Sequence, residues 1–154
     1  MMRAFPLLLL SLLLLSCGDR NERAVMGPSP PTAAFKIART EQFKQLQTQV
    51  VKNCVAFTDR LAERGFTIPF GGTNTHLMNL DTKSITGEDG AVLSGDLAAR
   101  LLDLAGITTN RNTIPGDKSA LRPTGVRMGM PWVTQRGFKE AESKALADAI
   151  ADIL

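Results

Sequence analysis

Six apolar residues, Phe43, Leu46, Val50, Cys54, Phe57 and Leu61, recur at steps of three and four along the chain. That spacing draws one apolar stripe down the side of a long helix. Thr40 is the expected N-cap, with Glu41 in the first turn, and Gly65 is the expected residue just past the C-terminal end. Burial of each large side chain contributes roughly 1.5–3 kcal/mol, so such a helix is expected to dock on a sheet. A core stripe explains these residues better than a cofactor box. Cys54, inside the stripe, reads as a small buried hydrophobe.

The rest of the chain supplies candidates for that sheet. Phe66 to Phe70 and His76 to Leu80 have strand character and are separated by Gly71-Gly72-Thr73. Asp96 is the expected cap of a helix carrying Leu97, Leu101 and Leu104, closed by Gly106. Ile107 to Thr109 is a third strand candidate and Gly125 to Met128 a fourth, with a long irregular stretch, Asn110 to Pro123, between them. Lys139 to Leu154 is an alanine-rich helix with Ala141, Ala145, Leu146, Ala149, Ile150 and Ile153 on one broad apolar face. The order helix, strand, strand, helix, strand, strand, helix predicts a two-layer α+β domain, a small sheet with helices on one face.

The first residues follow other rules. Arg3 precedes an apolar run from Phe5 to Leu15, too short to span a bilayer core of about 30 Å as a helix and of the length of a secretory signal's apolar segment. Ser16 and Cys17 resemble a bacterial lipoprotein cleavage box, in which Cys17 becomes the lipidated N-terminus; taken alone the stretch favours export, and the alternative is a mis-assigned start or a fusion scar. Residues 1–17 are therefore expected to be a signal-like leader, residues 18–32 a linker rich in Pro, Gly and polar residues, and residues 33–154 the folded domain.

Composition excludes some functions. The chain of 154 residues carries a net charge of +3, and its basic residues are scattered rather than clustered. Aromatics make up 5% and tyrosine is absent, so nothing resembles a nucleic-acid footprint. With two cysteines, Cys17 and Cys54, and one histidine, His76, the chain lacks the ligands of a thiol or imidazole zinc site; no metal is expected.

Four stretches, in order, resemble the C-terminal domain of serine hydroxymethyltransferase, a fold-type-I pyridoxal-phosphate enzyme. They are AAFKIARTEQFKQLQTQVVKNC at 33–54, RGFTIPFGGTNTHLMNLD at 64–81, AGITTNRNTIPGDKSALRPTGVRMGMP at 105–131 and TQRGFKEAE at 134–142. The third is the most specific. The segment from Thr86 to Leu97 is longer than in many members, which implies an extended surface loop. The resemblance implies that the small sheet is mostly antiparallel.

It also implies a function: transfer of a one-carbon unit between serine and tetrahydrofolate, yielding glycine, with pyridoxal phosphate doing the carbanion chemistry. Arg127, in Pro-Thr-Gly-Val-Arg, falls on the arginine that binds the amino-acid carboxylate. A planar, always-charged guanidinium suits that task because it meets both carboxylate oxygens. Asn112 falls on a position that contacts the folate pterin, and Ser119, Ala120 and Leu121 fall on a short folate-lining segment. Taken without the motif, Arg127 is a surface cation near a strand end, and Asn112 is ordinary turn chemistry before Thr-Ile-Pro-Gly. His76 reads as structural rather than catalytic.

The features by which the family holds pyridoxal phosphate do not match here. None of the seven lysines, Lys36, Lys44, Lys52, Lys83, Lys118, Lys139 and Lys144, stands in the Thr-Lys-Thr context of the cofactor lysine. The chain alone is thus expected to bind no pyridoxal phosphate and to be inactive, needing a large domain or a full-length homologue as partner, in a family whose members are homo-oligomers. The resemblance implies a cytoplasmic location; the leader implies the alternative of a membrane-anchored lipoprotein whose domain is a non-catalytic binding or scaffold module.

Overall fold

The computed structural model describes residues 30–88 and 90–154. The expected leader and the lipidation candidate Cys17 lie outside the described residues. The chain divides into two units, Met1–Ile37 and Ala38–Leu154. Of the first, the described part is most of helix α1 (Pro30–Ala38), which takes in the last residues of the stretch expected as linker.

The second unit is a small α+β domain. It comprises α2 (Glu41–Glu63), β1 (Leu77–Asp81), α3 (Gly95–Leu104), β2 (Asn110–Asn112), β3 (Gly125–Gly129), α4 (Pro131–Gln135) and α5 (Glu140–Ile153). The strands form one antiparallel sheet in the order β1-β3-β2. Side chains alternate across a strand, so Met78 and Leu80 of β1 and Val126 and Met128 of β3 share one face, in register Met78 to Met128 and Leu80 to Val126. That face is buried against Cys54, Phe57 and Leu61 of α2, Ala98 and Leu102 of α3, and Ala147 and Ile150 of α5.

Helix α2 starts as its sequence demands: the Thr40 hydroxyl accepts the Phe43 N–H at 3.2 Å. Val50, Cys54, Phe57 and Leu61 are fully buried, while Phe43 and Leu46 are half-buried. Helix α2 packs chiefly on α5, with further contacts to α4 and β1, so its stripe meets a helix as well as the expected sheet. The Asn53 amide lies deep in this contact. Its Nδ2 donates to Thr134 Oγ1 and to the Phe138 carbonyl, both at 2.8 Å, tying α2 to α4. Further along, Arg60 and Arg64 share the Asp148 carboxylate of α5, each at 2.9 Å.

Three local expectations are corrected. Phe66 to Phe70 is not a strand. Pro69 has no N–H to give a ladder, Phe70 takes a positive φ of 65°, and the segment contributes one isolated bridge, Thr67 to Asp81. Ile107 to Thr109 is not a strand either. The Ile107 N–H is spent on the Leu102 carbonyl at 2.8 Å and the Gly106 N–H on Asp103 at 2.9 Å, a Schellman closure of α3 with Gly106 at φ 81°. Strand pairing starts later, at Asn110, inside the stretch expected to be irregular. Finally, the cap of α3 is Ser94, whose hydroxyl accepts the Leu97 N–H at 3.2 Å. Asp96 lies in the first turn and pairs with Arg111 of β2 at 2.8 Å. The long segment after Thr86 folds back on itself through a bridge between Thr86 and Val92.

Candidate functional site

The sheet face turned away from the core carries the site. Arg127 stands in the middle strand, directly opposite Asn79 of β1 and Asn110 of β2. Because Val126 and Met128 on either side of it are buried inward, Arg127 must point outward. Its Nε donates to Asn110 Oδ1 at 3.2 Å. Among the described residues that is the only hydrogen bond of the guanidinium, so its two terminal amino groups remain open. Arg127 and Asn110 line a groove of about 450 Å³ together with His76, Leu77, Thr108, Thr109, Met128 and Gly129. Thr109 Oγ1 is buried there without a hydrogen-bond partner among the described residues. The exposed His76 contributes structurally through its carbonyl, which accepts the Met130 N–H at 3.0 Å.

Asn112 shares this outward face, one alternation further along β2, opposite Gly125. Its Nδ2 donates to Asn79 Oδ1 at 3.2 Å and to the Thr113 carbonyl at 3.1 Å. The glycine opposite is obligatory. A Cβ at position 125 would lie 2.4 Å from Ile114 Cγ2 and 2.6 Å from the Asn112 carbonyl oxygen.

The fold thus brings Arg127 and Asn112 onto one surface, with Asn79 between their partners. It does not bring Ser119, Ala120 and Leu121 into the same groove. Ser119 and Leu121 line a second hollow of about 520 Å³, with Lys83, Gly116, Asp117, Lys118, Arg122 and Thr124. Ala120 is exposed between them. The Ser119 hydroxyl accepts the Leu121 N–H at 3.2 Å, which turns the Leu121 side chain into solvent at 84% exposure.

Asn110, Asn79 and Asp117 were not singled out from the sequence. Asn110 and Asn112 flank Arg111 with the period of two that a strand requires, a signal hidden by reading residues 110–123 as irregular. Asp117 holds the loop that follows β2. Burial opposes its ionised form, but the Thr124 hydroxyl, the N–H groups of Thr124 and Ile114 and the Lys83 ammonium outweigh burial, so its carboxyl titrates below its ordinary value. In the core, burial pushes the Cys54 thiol up to about 11 against the opposing Thr58 and Thr73 hydroxyls, which keeps it protonated and unreactive.

All seven lysines are exposed. Lys83 is 3.5 Å from Asp81. A cofactor lysine needs a desolvated pocket against its cofactor ring, and no lysine of the described residues has one.

Residues 28–150 match the family model described as serine hydroxymethyltransferase. The chain is 46% identical over 117 residues to the mitochondrial serine hydroxymethyltransferase of Candida glabrata, covering 76% of this chain and 23% of that protein. It is 46% identical over 124 residues to the serine hydroxymethyltransferase of Halorhodospira halophila, covering 79% and 28%. It is 43% identical over 118 residues to serine hydroxymethyltransferase 3, chloroplastic, of Arabidopsis thaliana, covering 77% and 21%. The chain therefore spans about a quarter of the length of the curated relatives it matches.

Proposed function

This chain belongs to the serine hydroxymethyltransferase family, and on that premise we propose that it supplies the substrate-carboxylate arginine and part of the folate surface of a glycine hydroxymethyltransferase. The reaction moves the hydroxymethyl carbon of serine to tetrahydrofolate, leaving glycine. Arg127 receives the amino-acid carboxylate through its two terminal amino groups, while Asn110 holds Nε and so fixes the plane of the fork. Asn112 offers its amide to the pterin, and Ser119, Ala120 and Leu121 line the folate further out. One observation carries this reading: Arg127 and Asn112 project from the same face of a three-stranded sheet whose other face is the core.

Pyridoxal phosphate supplies the carbanion chemistry in this family, and its anchoring lysine belongs to a large domain that this chain does not match. The exposure of all seven lysines supports that view. By itself the chain is inactive. It works with a large domain, or beside a full-length homologue, in a homo-oligomer in the cytoplasm.

The test is complementation. The purified chain is mixed with a relative from which the matching C-terminal domain has been removed, and glycine formation from serine and tetrahydrofolate is followed. Activity that appears only in the mixture, and disappears with Arg127→Ala, is the expected result. Activity or cofactor absorbance from the chain alone would refute the division of labour.

A further inference from the structure

The loop from Thr113 to Thr124 joins the two strands that carry Asn112 and Arg127, and a single carboxylate closes it. Asp117 Oδ2 accepts the backbone N–H groups of Ile114 and Thr124, each at 3.0 Å, and its Oδ1 accepts the Thr124 hydroxyl. The Asp117 N–H returns a bond to the Ile114 carbonyl at 3.1 Å. Both clasped residues are anchored elsewhere. The Thr124 carbonyl accepts the N–H and the hydroxyl of Thr82, each at 2.9 Å. Ile114 is buried over Gly125, its Cγ2 filling the place a Cβ would take.

We propose that Asp117 is a positioning residue for the folate side of the site: by clasping Ile114 to Thr124 it sets where Asn112 and Ser119–Leu121 stand relative to Arg127. The proposal rests on the reading of those residues as folate contacts. Asp117 acts through the backbone and touches no substrate. Its chemistry suits the task, because an ionised carboxylate is a pure acceptor and takes two N–H groups and a hydroxyl at once. An amide has one oxygen for the same three donors. The charged groups around it are Lys83, from the turn after β1 and itself paired with Asp81 at 3.5 Å, and Lys118 and Arg122 of its own loop, which line the same hollow.

Two measurements test this on the full chain. The first is amide hydrogen exchange by NMR. In Asp117→Ala, the Ile114 and Thr124 amides should exchange at least about tenfold faster, with the Met78–Met128 ladder unchanged. Asp117→Asn, keeping one acceptor, should be intermediate. The wild-type amides should lose protection as acid protonates the carboxylate, and those of Asp117→Asn should not respond. Unchanged protection in Asp117→Ala, or the same acid response in Asp117→Asn, overturns the clasp.

The second is tetrahydrofolate binding by the chain complemented with the large domain. Asp117→Ala should weaken it by about tenfold, comparable to Asn112→Ala. Equal binding by wild type and Asp117→Ala overturns the positioning role. Absence of binding by the wild-type mixture overturns the folate reading, and the exchange result still decides the clasp.

Discussion

Asn110 and Arg127 face each other directly across the β2–β3 ladder, and the Asn110 amide oxygen accepts the Arg127 Nε–H at 3.2 Å. The bond occupies the one guanidinium N–H on the side toward its own chain. What remains is the pair of terminal amino groups, the edge whose geometry matches a carboxylate. A neutral acceptor in this position orients the arginine without neutralising it.

Removing that orientation should show as a binding defect. Asn110→Ala is expected to raise the serine KM of the complemented enzyme by about two- to tenfold, the worth of one ordinary hydrogen bond, with kcat nearly unchanged. Asn110→Asp, which keeps the acceptor but adds a competing charge, should also raise KM. Steady-state kinetics at saturating tetrahydrofolate measure both.

Arg127→Ala should separate binding from stability. The side chain is exposed, so the urea unfolding free energy should stay within about 0.5 kcal/mol of wild type. On the proposed carboxylate role, two charge-assisted bonds at about 1.5–3 kcal/mol each are lost, so serine should bind the complemented enzyme on the order of a hundredfold or more weaker. Arg127→Lys should recover only part of this, because an ammonium is a point charge without the fork.

Asn53→Ala should do the reverse. The residue is fully buried, and its amide joins Gln49, Thr134 and Phe138 at 2.8 Å each. Leaving these partners unsatisfied inside the core should cost about 2–4 kcal/mol. Chemical denaturation measures it. A loss below 1 kcal/mol would mean that water replaces the amide.

Gly125→Ala should disrupt β2 in particular. A methyl group there meets Ile114 Cγ2 and the Asn112 carbonyl oxygen inside contact distance, and such overpacking costs about 1–3 kcal/mol. The Asn112 amide should lose its exchange protection while the β1–β3 ladder keeps its own.

Acid should loosen the α2–α5 contact. Hydrogen bonds from Arg64 and Arg60 hold the Asp148 carboxyl below its ordinary value. A folded-state pKa below the unfolded one means the carboxylate stabilises the fold above its unfolded pKa. The contribution is lost as pH falls through the depressed folded value. Stability followed from pH 6 into the acid range should fall less steeply in Asp148→Asn than in wild type, and added salt should shrink the difference.

Much of this was readable from residues 40 to 65. Thr40, the stripe and Gly65 specify start, buried side and end locally, and α2 obeys all three. Strands depended on where backbone donors are spent, which spacing does not reveal. Ile107 has strand character, but its N–H closes α3, so pairing shifts to polar Asn110–Asn112. For the same reason Arg127 stood out through its motif, whereas Asn110 and Asp117 emerged only once the ladder and loop were in place. Their roles depend on neighbours 17 and 7 residues away in the chain.

The ladder register fixes more than the core. A slip of β3 by one residue would throw Met128 into water and drive Arg127 among Leu80, Phe57 and Ile150. Misaligned chemistry and a misfolded interior are therefore one and the same fault. Oil on the inside acts as the proofreader of charge on the outside.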